Sequence, residues 1–160
     1  MTRFSASTTA EAVVPAPRQR IWDLLVDPAK IAEMTPFLES VVADGEHWRW
    51  EMSGLDVLGL KVAPSFTERM VFEDRARIEF HHDPPAGTTE RSGVAGWYAL
   101  ADADDGGTHL ATSLEISLDL PLPRLSAPAV TSTMRGVMAT MGDRFAANLL
   151  RELGVGPLAG

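Results

Sequence analysis

Residues 109–120 alternate without a break, and the residues that follow do not. Leu110, Thr112, Leu114, Ile116, Leu118 and Leu120 share one parity; His109, Ser113, Glu115, Ser117 and Asp119 share the other. A period of two is the signature of a strand with one face on a core and one in water. Pro121 and Pro123 end it. From Ser126, a good N-cap residue with Pro128 behind it, the period changes to that of a helix. Val130, Met134, Val137, Met138, Met141, Phe145 and Leu149 then form one apolar stripe, and Gly154 is a natural stop. A sheet wet on one face must have its other face covered, and this last helix is the only element long enough to do it.

The preceding chain supplies the rest of the sheet. Residues 3–14 read as a strand stopped by Pro15 and Pro17. Ile21, Leu24 and Leu25 mark a short helix over about 17–26, broken at Asp27-Pro28, and a second short helix spans 28–34. From Leu38 the period is two again. Asp44-Gly45 turns the chain into His47–Met52, where Trp48, Trp50 and Met52 share one face and His47, Arg49 and Glu51 the other. Residues 53–60 read as an apolar connection or bulge around Gly54 and Gly59. Phe66, Met70 and Phe72 alternate in the next strand, then Ile78 and Phe80, and residues 90–101 make one more. The pattern is that of an α+β chain. It has an antiparallel sheet of about seven strands, two short helices after the first strand and one long C-terminal helix. Residues 1–154 make a single domain, and 155–160 a frayed tail.

Composition narrows the function. Apolar residues are 45% and charged residues 22% of the 160, as in ordinary globular chains. There is no cysteine, hence no disulfide, thiolate metal site or cysteine nucleophile. A net charge of −8 without a basic patch disfavours nucleic acid and anionic membrane surfaces. No stretch has the character of a signal peptide or a membrane span, so a cytoplasmic location is expected. Histidines at 47, 81, 82 and 109 have no HxxxH or HExxH spacing, and neighbours 81 and 82 point to opposite faces, so no metal is expected. There is no GxSxG elbow, phosphate loop or dinucleotide fingerprint, so no cofactor is expected. Asp102, Asp104 and Asp105 lack the calcium-loop pattern and read as a solvated turn.

Three stretches carry a resemblance: Val14-Pro15-Ala16-Pro17-Arg18-Gln19-Arg20-Ile21-Trp22-Asp23-Leu24-Leu25-Val26-Asp27-Pro28, then Phe72–Phe80, then Gly96-Trp97-Tyr98-Ala99-Leu100 running through Asp-Gly-Gly to Leu110. With the final helix, the order of elements resembles the START-related SRPBCC superfamily of birch-pollen-allergen-like helix-grip proteins. It looks most like the bacterial polyketide cyclase/dehydrase and lipid-transport branch. The resemblance implies a curved sheet wrapped around the last helix, with a deep cavity for lipids, polyketides or other apolar ligands. It implies no universal catalytic motif, and a shared fold does not fix chemistry.

The expected lining comes from both sides of that cavity. Trp48, Trp50, Met52, Phe66, Met70, Ile78, Phe80, Tyr98, Leu110, Thr112 and Leu114 belong to the sheet. Met134, Val137, Met138, Met141 and Phe145 belong to the helix. A single methionine is more often core; three facing aromatic residues suit a pocket that adapts to its guest. Gly136 and Gly142 inside the helix mean either close packing on a neighbour or a soft helix. Strict alternation puts Glu68 between Phe66 and Met70 on the inner face, where it would bind a ligand hydroxyl or move protons. The cost of burying a carboxylate favours the competing reading, a bulge or a surface pairing with Arg69 or Arg49. His82 and Tyr98 share the inward parity and offer further polar handles, though each alone is more often a satisfied, partly buried side chain.

The leading expectation is a carrier or sensor that binds an apolar small molecule without catalysis. The alternatives are a polyketide cyclase, dehydrase or aromatase using Glu68, His82 or Tyr98 for proton transfer, and an interaction subunit docking through 53–60. The loops 53–60 and 83–89 are the expected gates at the sheet rim.

Overall fold

In the computed structural model, which describes residues 1–155, β1 (Thr2–Val14) leads through α1 (Arg18–Leu25) and α2 (Pro28–Met34) to β2 (Leu38–Asp44) and β3 (His47–Met52). Next come β4 (Leu55–Val57), β5 (Leu60–Val62), β6 (Ser65–Glu73), β7 (Arg77–His82), β8 (Ser92–Asp102) and β9 (Thr108–Leu120). The long helix α3 (Ala127–Leu153) closes the chain. Seven strands make one antiparallel sheet in the order β1-β9-β8-β7-β6-β3-β2. The first and last strands of the chain pair along their full length, from Thr2↔Leu120 to Val14↔Thr108, so α1 and α2 must carry the chain across to the far edge. This is a helix-grip fold. No described helix is long and apolar enough to cross a bilayer.

Local chemistry sets the boundaries. The Asp27 carboxylate accepts from the Ala29 and Lys30 amides and caps α2, with Pro28 in its first turn. Gly154 takes the left-handed conformation at φ 71° and ends α3, while the Val155 amide donates to the Leu150 carbonyl. Val155 is therefore anchored, and the rest of the expected tail, 156–160, lies outside the described residues. Ser126 does not cap α3 with its side chain. A single 3₁₀ turn, Arg124–Ser126, runs straight into the helix, and Ser126 already has helical dihedrals.

Residues 53–60 differ from the expected connection or bulge. Leu55–Val57 and Leu60–Val62 pair as a separate two-stranded hairpin. Leu58 (φ 51°) and Gly59 (φ 86°) form its two-residue turn, both left-handed as a type I′ turn requires. Leucine is a poor residue for that position, which is why the sequence gives no hairpin signal there. Leu55 and Val57 are buried against the main body, and Leu58 is exposed at the tip.

The core falls into two clusters. The larger joins α1 and α2 to the inner faces of β2, β3, β6 and β7 and to Leu149, Leu150 and Leu153 at the end of α3. The smaller joins Phe4, Ala6, Leu118 and Leu120 to Val57 and to Val130, Met134 and Met138 near the start of α3. Val62 and Leu114 touch both.

Candidate functional site: the space beneath the long helix

Between the two clusters α3 buries nothing. No residue from 139 to 148 is buried, although Met141 and Phe145 pack towards the sheet. The opposing strands show the same thing. Gly96 and Tyr98 of β8 and Thr112, Leu114 and Ile116 of β9 occupy inward register positions yet remain partly exposed. On β1, Ala6 and Val14 are buried, while Thr8 and Ala10, the positions between them on the same face, are exposed. Close-packed interiors do not leave inward side chains exposed on three strands and a helix at once. These residues border unfilled space between the middle of α3 and the β1-β9-β8 part of the sheet.

One aromatic row forms a wall of that space. Tyr98 and Phe145 stack with planes 7° apart and centroids at 6.4 Å, and Phe80 lies 5.5 Å from Tyr98. Phe80 leans across Gly96: a Cβ there would come within 2.9 Å of its ring and 2.0 Å of the Ser113 carbonyl oxygen. The Tyr98 hydroxyl appears in no hydrogen bond among the described residues. Burial pushes its pKa up to about 12, so it is a neutral donor at any physiological pH.

Glu68 lies on the inner face with no exposed surface, opposite Trp48 of β3 and His82 of β7. This overturns the surface pairing and the bulge that the cost of burial favoured. Arg49 instead bonds Glu51 and Ser65, and β6 pairs regularly on both sides of Glu68. Neither Glu68 oxygen has a hydrogen-bond partner. Desolvation, with a smaller push from Glu90, raises its pKa to about 9; the nearby Val94 amide opposes the rise without reaching hydrogen-bond geometry. The group is a neutral acid at pH 7.

His82 is engaged elsewhere. Its Nε2 lies 2.9 Å from Glu90, whose carboxylate also accepts from the amide and hydroxyl of Thr67 at 2.8 Å. The imidazole lies against Gly93, where a Cβ would come within 2.4 Å of Nδ1. Glu90 thereby takes over a backbone amide of β6 beyond the end of β7. The strand expected at 90–101 begins only at Ser92, so Glu90, read as its first residue, sits in the loop before it, and nothing in the sequence marked its role.

The expected lining residues divide into two groups. Trp48, Met52, Phe66, Met70, Ile78, Phe80, Leu110, Met134 and Met138 are buried in the two clusters. Tyr98, Thr112, Leu114, Val137, Met141 and Phe145 stay partly exposed, and so does Trp50. Thr8, Ala10, Gly96 and Ile116 join the space without having been expected. At the sheet rim a cleft of about 630 Å³ opens between Leu60–Ser65, the Thr88–Ser92 segment and Leu118–Pro121. Both segments expected as gates thus reach this cleft.

Solved structures of other proteins share this fold. The Zhui aromatase/cyclase from Streptomyces sp. R1128 is 17% identical with a TM-score of 0.69, covering 94% of each chain. A START superfamily protein from Mycobacterium smegmatis is 12% identical with a TM-score of 0.65, covering 92% of this chain and 97% of the other. Ara h 8.0201 is 16% identical with a TM-score of 0.57, covering 94% and 99%. At these identities the likeness is one of fold. No curated protein sequence matches this chain significantly. The family model described as polyketide cyclase / dehydrase and lipid transport matches residues 5–151, which is nearly the whole chain, and the protein belongs to that family.

Proposed function

We propose that the protein encloses an apolar small molecule in the space between α3 and the β1-β9-β8 part of the sheet, as a carrier or sensor. One observation carries this reading: inward residues of β1, β8, β9 and α3 stay partly exposed between two separately packed clusters. The walls are apolar, and Tyr98 and Thr112 supply polar groups at their surface. The family's description supports an apolar guest. An uncharged fluorescent probe, N-phenyl-1-naphthylamine, tests it. Saturable binding of one probe per chain is expected. Leu114→Trp, which fills the space from β9, should abolish that binding while the far-ultraviolet dichroism stays unchanged. Absence of probe binding, together with no apolar molecule retained by the purified protein in native mass spectrometry, would refute the reading.

A second reading, proton-transfer catalysis on a polyketide-like substrate, is favoured by Glu68. A carboxyl kept neutral at pH 7 is able to act as a general acid. Against it, a catalytic acid must touch its substrate, and Glu68 has no surface open to the space. His82, bonded to Glu90, is no freer. Binding without turnover therefore remains the first reading. Docking through 53–60 has lost most of its apolar surface, because Leu55 and Val57 are buried in the protein's own core.

A further inference from the structure

The sheet has two edges, β2 and β1, and only β2 is blunted. β2 has seven residues and a register shift between Leu38 and Ser40. β1 has thirteen residues, no proline and no register shift, and every residue from Ser7 to Glu11 is exposed. An edge of that length without a bulge, a proline or an inward charge offers its outer amides and carbonyls to another strand. The two charges of β1, Arg3 and Glu11, both lie on the outer face of the sheet. Arg3 bonds Asp119 across the β1–β9 ladder, whereas Glu11 faces Ala111 and meets no charge there.

Symmetry and charge name the strand that fits. Two copies of one strand pair antiparallel about a two-fold axis. Opposite residues in such a ladder either both bond or both do not, so the axis passes through a residue and not between two. With Ser7 on the axis, Arg3 falls opposite Glu11 of the second copy, and Glu11 opposite its Arg3. Both charges of each strand are then matched. On the inner face, Phe4 and Ala6 fall opposite Ala10 and Thr8. Phe4 and Ala6 are buried against Val130, Met134 and Met138 of α3, while Thr8 and Ala10 are bare. The covered half of each strand thus lies beside the bare half of the other, and the two α3 helices begin over opposite ends of the new ladder. We propose that β1 is a self-association edge: a second copy of this chain adds its own β1 about an axis at Ser7, joining two seven-stranded sheets into one. Main-chain bonds supply the affinity, and the Arg3–Glu11 pairs fix the register. The pairing does not depend on the binding reading. It would also wall one flank of the space beneath α3, which Thr8 and Ala10 border.

Sedimentation of the full chain over a concentration series reaching about 1 mM tests the pairing. The wild type should pass from the mass of one chain to that of two. Arg3→Glu and Glu11→Arg each set like charges opposite one another at both ends of the ladder, and each should weaken association about tenfold or more. Both should keep the wild-type far-ultraviolet dichroism, because both positions are exposed. An equal mixture of the two variants matches every charge again and should dimerise as the wild type does. The chain has no cysteine, so Ser7→Cys adds a single thiol, and mild oxidation should join two copies through it. Val13→Cys, whose two copies would lie at opposite ends of the ladder, should not be joined. The mass of one chain at every concentration overturns the proposal. So do dimers that survive both charge variants, a mixture that fails to restore them, or equal cross-linking of the two cysteine variants.

Discussion

Replacing Glu68 should make the protein's stability almost independent of pH between 5 and 8, where the unsubstituted chain loses stability steadily. Its carboxyl titrates near 4.5 when unfolded and near 9 when folded. Below pH 4.5 both states hold the proton, and the group costs nothing through ionisation. Above 4.5 the unfolded chain releases its proton while the folded one keeps it, so each pH unit favours unfolding by about 1.4 kcal/mol until the folded group ionises near 9. At pH 7 the penalty is about 3 kcal/mol, and it grows by about 4 kcal/mol from pH 5 to pH 8. That is a large part of the roughly 5–15 kcal/mol that holds a domain folded. The assay is urea unfolding at pH 5, 6, 7 and 8 for the wild type, Glu68→Gln and Glu68→Leu. Gln leaves a buried amide unpaired and Leu does not, so the two differ from each other by an offset. Neither carries the slope. Parallel curves for wild type and both variants would refute the reasoning, because a carboxyl without a slope is ionised in the folded state and must have found a partner.

Tyr98 is the chain's single tyrosine, so absorbance at 295 nm reads it alone; no ionisation is expected until about pH 12, whereas a transition near 10 would place the hydroxyl in water. Gly96→Ala should destabilise by about 3 kcal/mol or more, because its Cβ would lie 2.0 Å from the Ser113 carbonyl, which cannot move without breaking the β8–β9 ladder; a change under 1 kcal/mol in chemical denaturation would contradict that packing. Leu58→Asn, at φ 51° in a type I′ turn before Gly59, should stabilise by about 0.5–1 kcal/mol, read as a rise in the urea midpoint. Gly136→Ala and Gly142→Ala should each stabilise by about 1 kcal/mol, since a Cβ at either meets nothing within 4 Å; a loss of stability in either would mean that a close contact is there after all.

The alternation in 109–120 and the stripe from Val130 to Leu149 were enough to place the gripping sheet and the helix, because both periods report which face is buried. Periodicity failed where backbone conformation overrode residue preference. Leu58 occupies a position that asparagine or glycine normally fills, so the β4–β5 hairpin left no trace in the pattern. At Glu68 the alternation pointed inward and the energetic prior pointed outward, and the alternation was right. A period reports register directly, whereas the cost of burying an acid is avoided when the acid keeps its proton. Trp50 was legible as an inward ring but not as an orphaned donor, since whether a buried N–H finds a partner depends on strand twist and neighbours. The role of Glu90 was illegible for a similar reason: it was read as the first residue of the strand at 90–101, whereas its contacts to β6 and β7 are made from the loop before Ser92.

The methionines of α3 show why a residue type marks a face but not an opening. Met134 and Met138 are sealed in the smaller cluster and behave as core, whereas Met141, one turn further on, borders the space. What distinguishes them is what lies opposite. Phe4, Ala6 and Leu118 fill the sheet side facing Met134, while Gly96, Thr8 and Ala10 leave the middle of the sheet bare. The helix is pinned at both ends and spans the gap; Gly142 falls inside the unpinned stretch 139–148, and Gly136 lies between the pinned Met134 and Met138. Neither glycine is required by a close contact, which removes the packing explanation for both. Gly142, which weakens the helix by about 1 kcal/mol where the sheet supports it least, makes that stretch the part of α3 easiest to displace. A guest passing beneath α3 would then have to disturb only the Ala139–Ala147 segment, leaving both packed clusters intact.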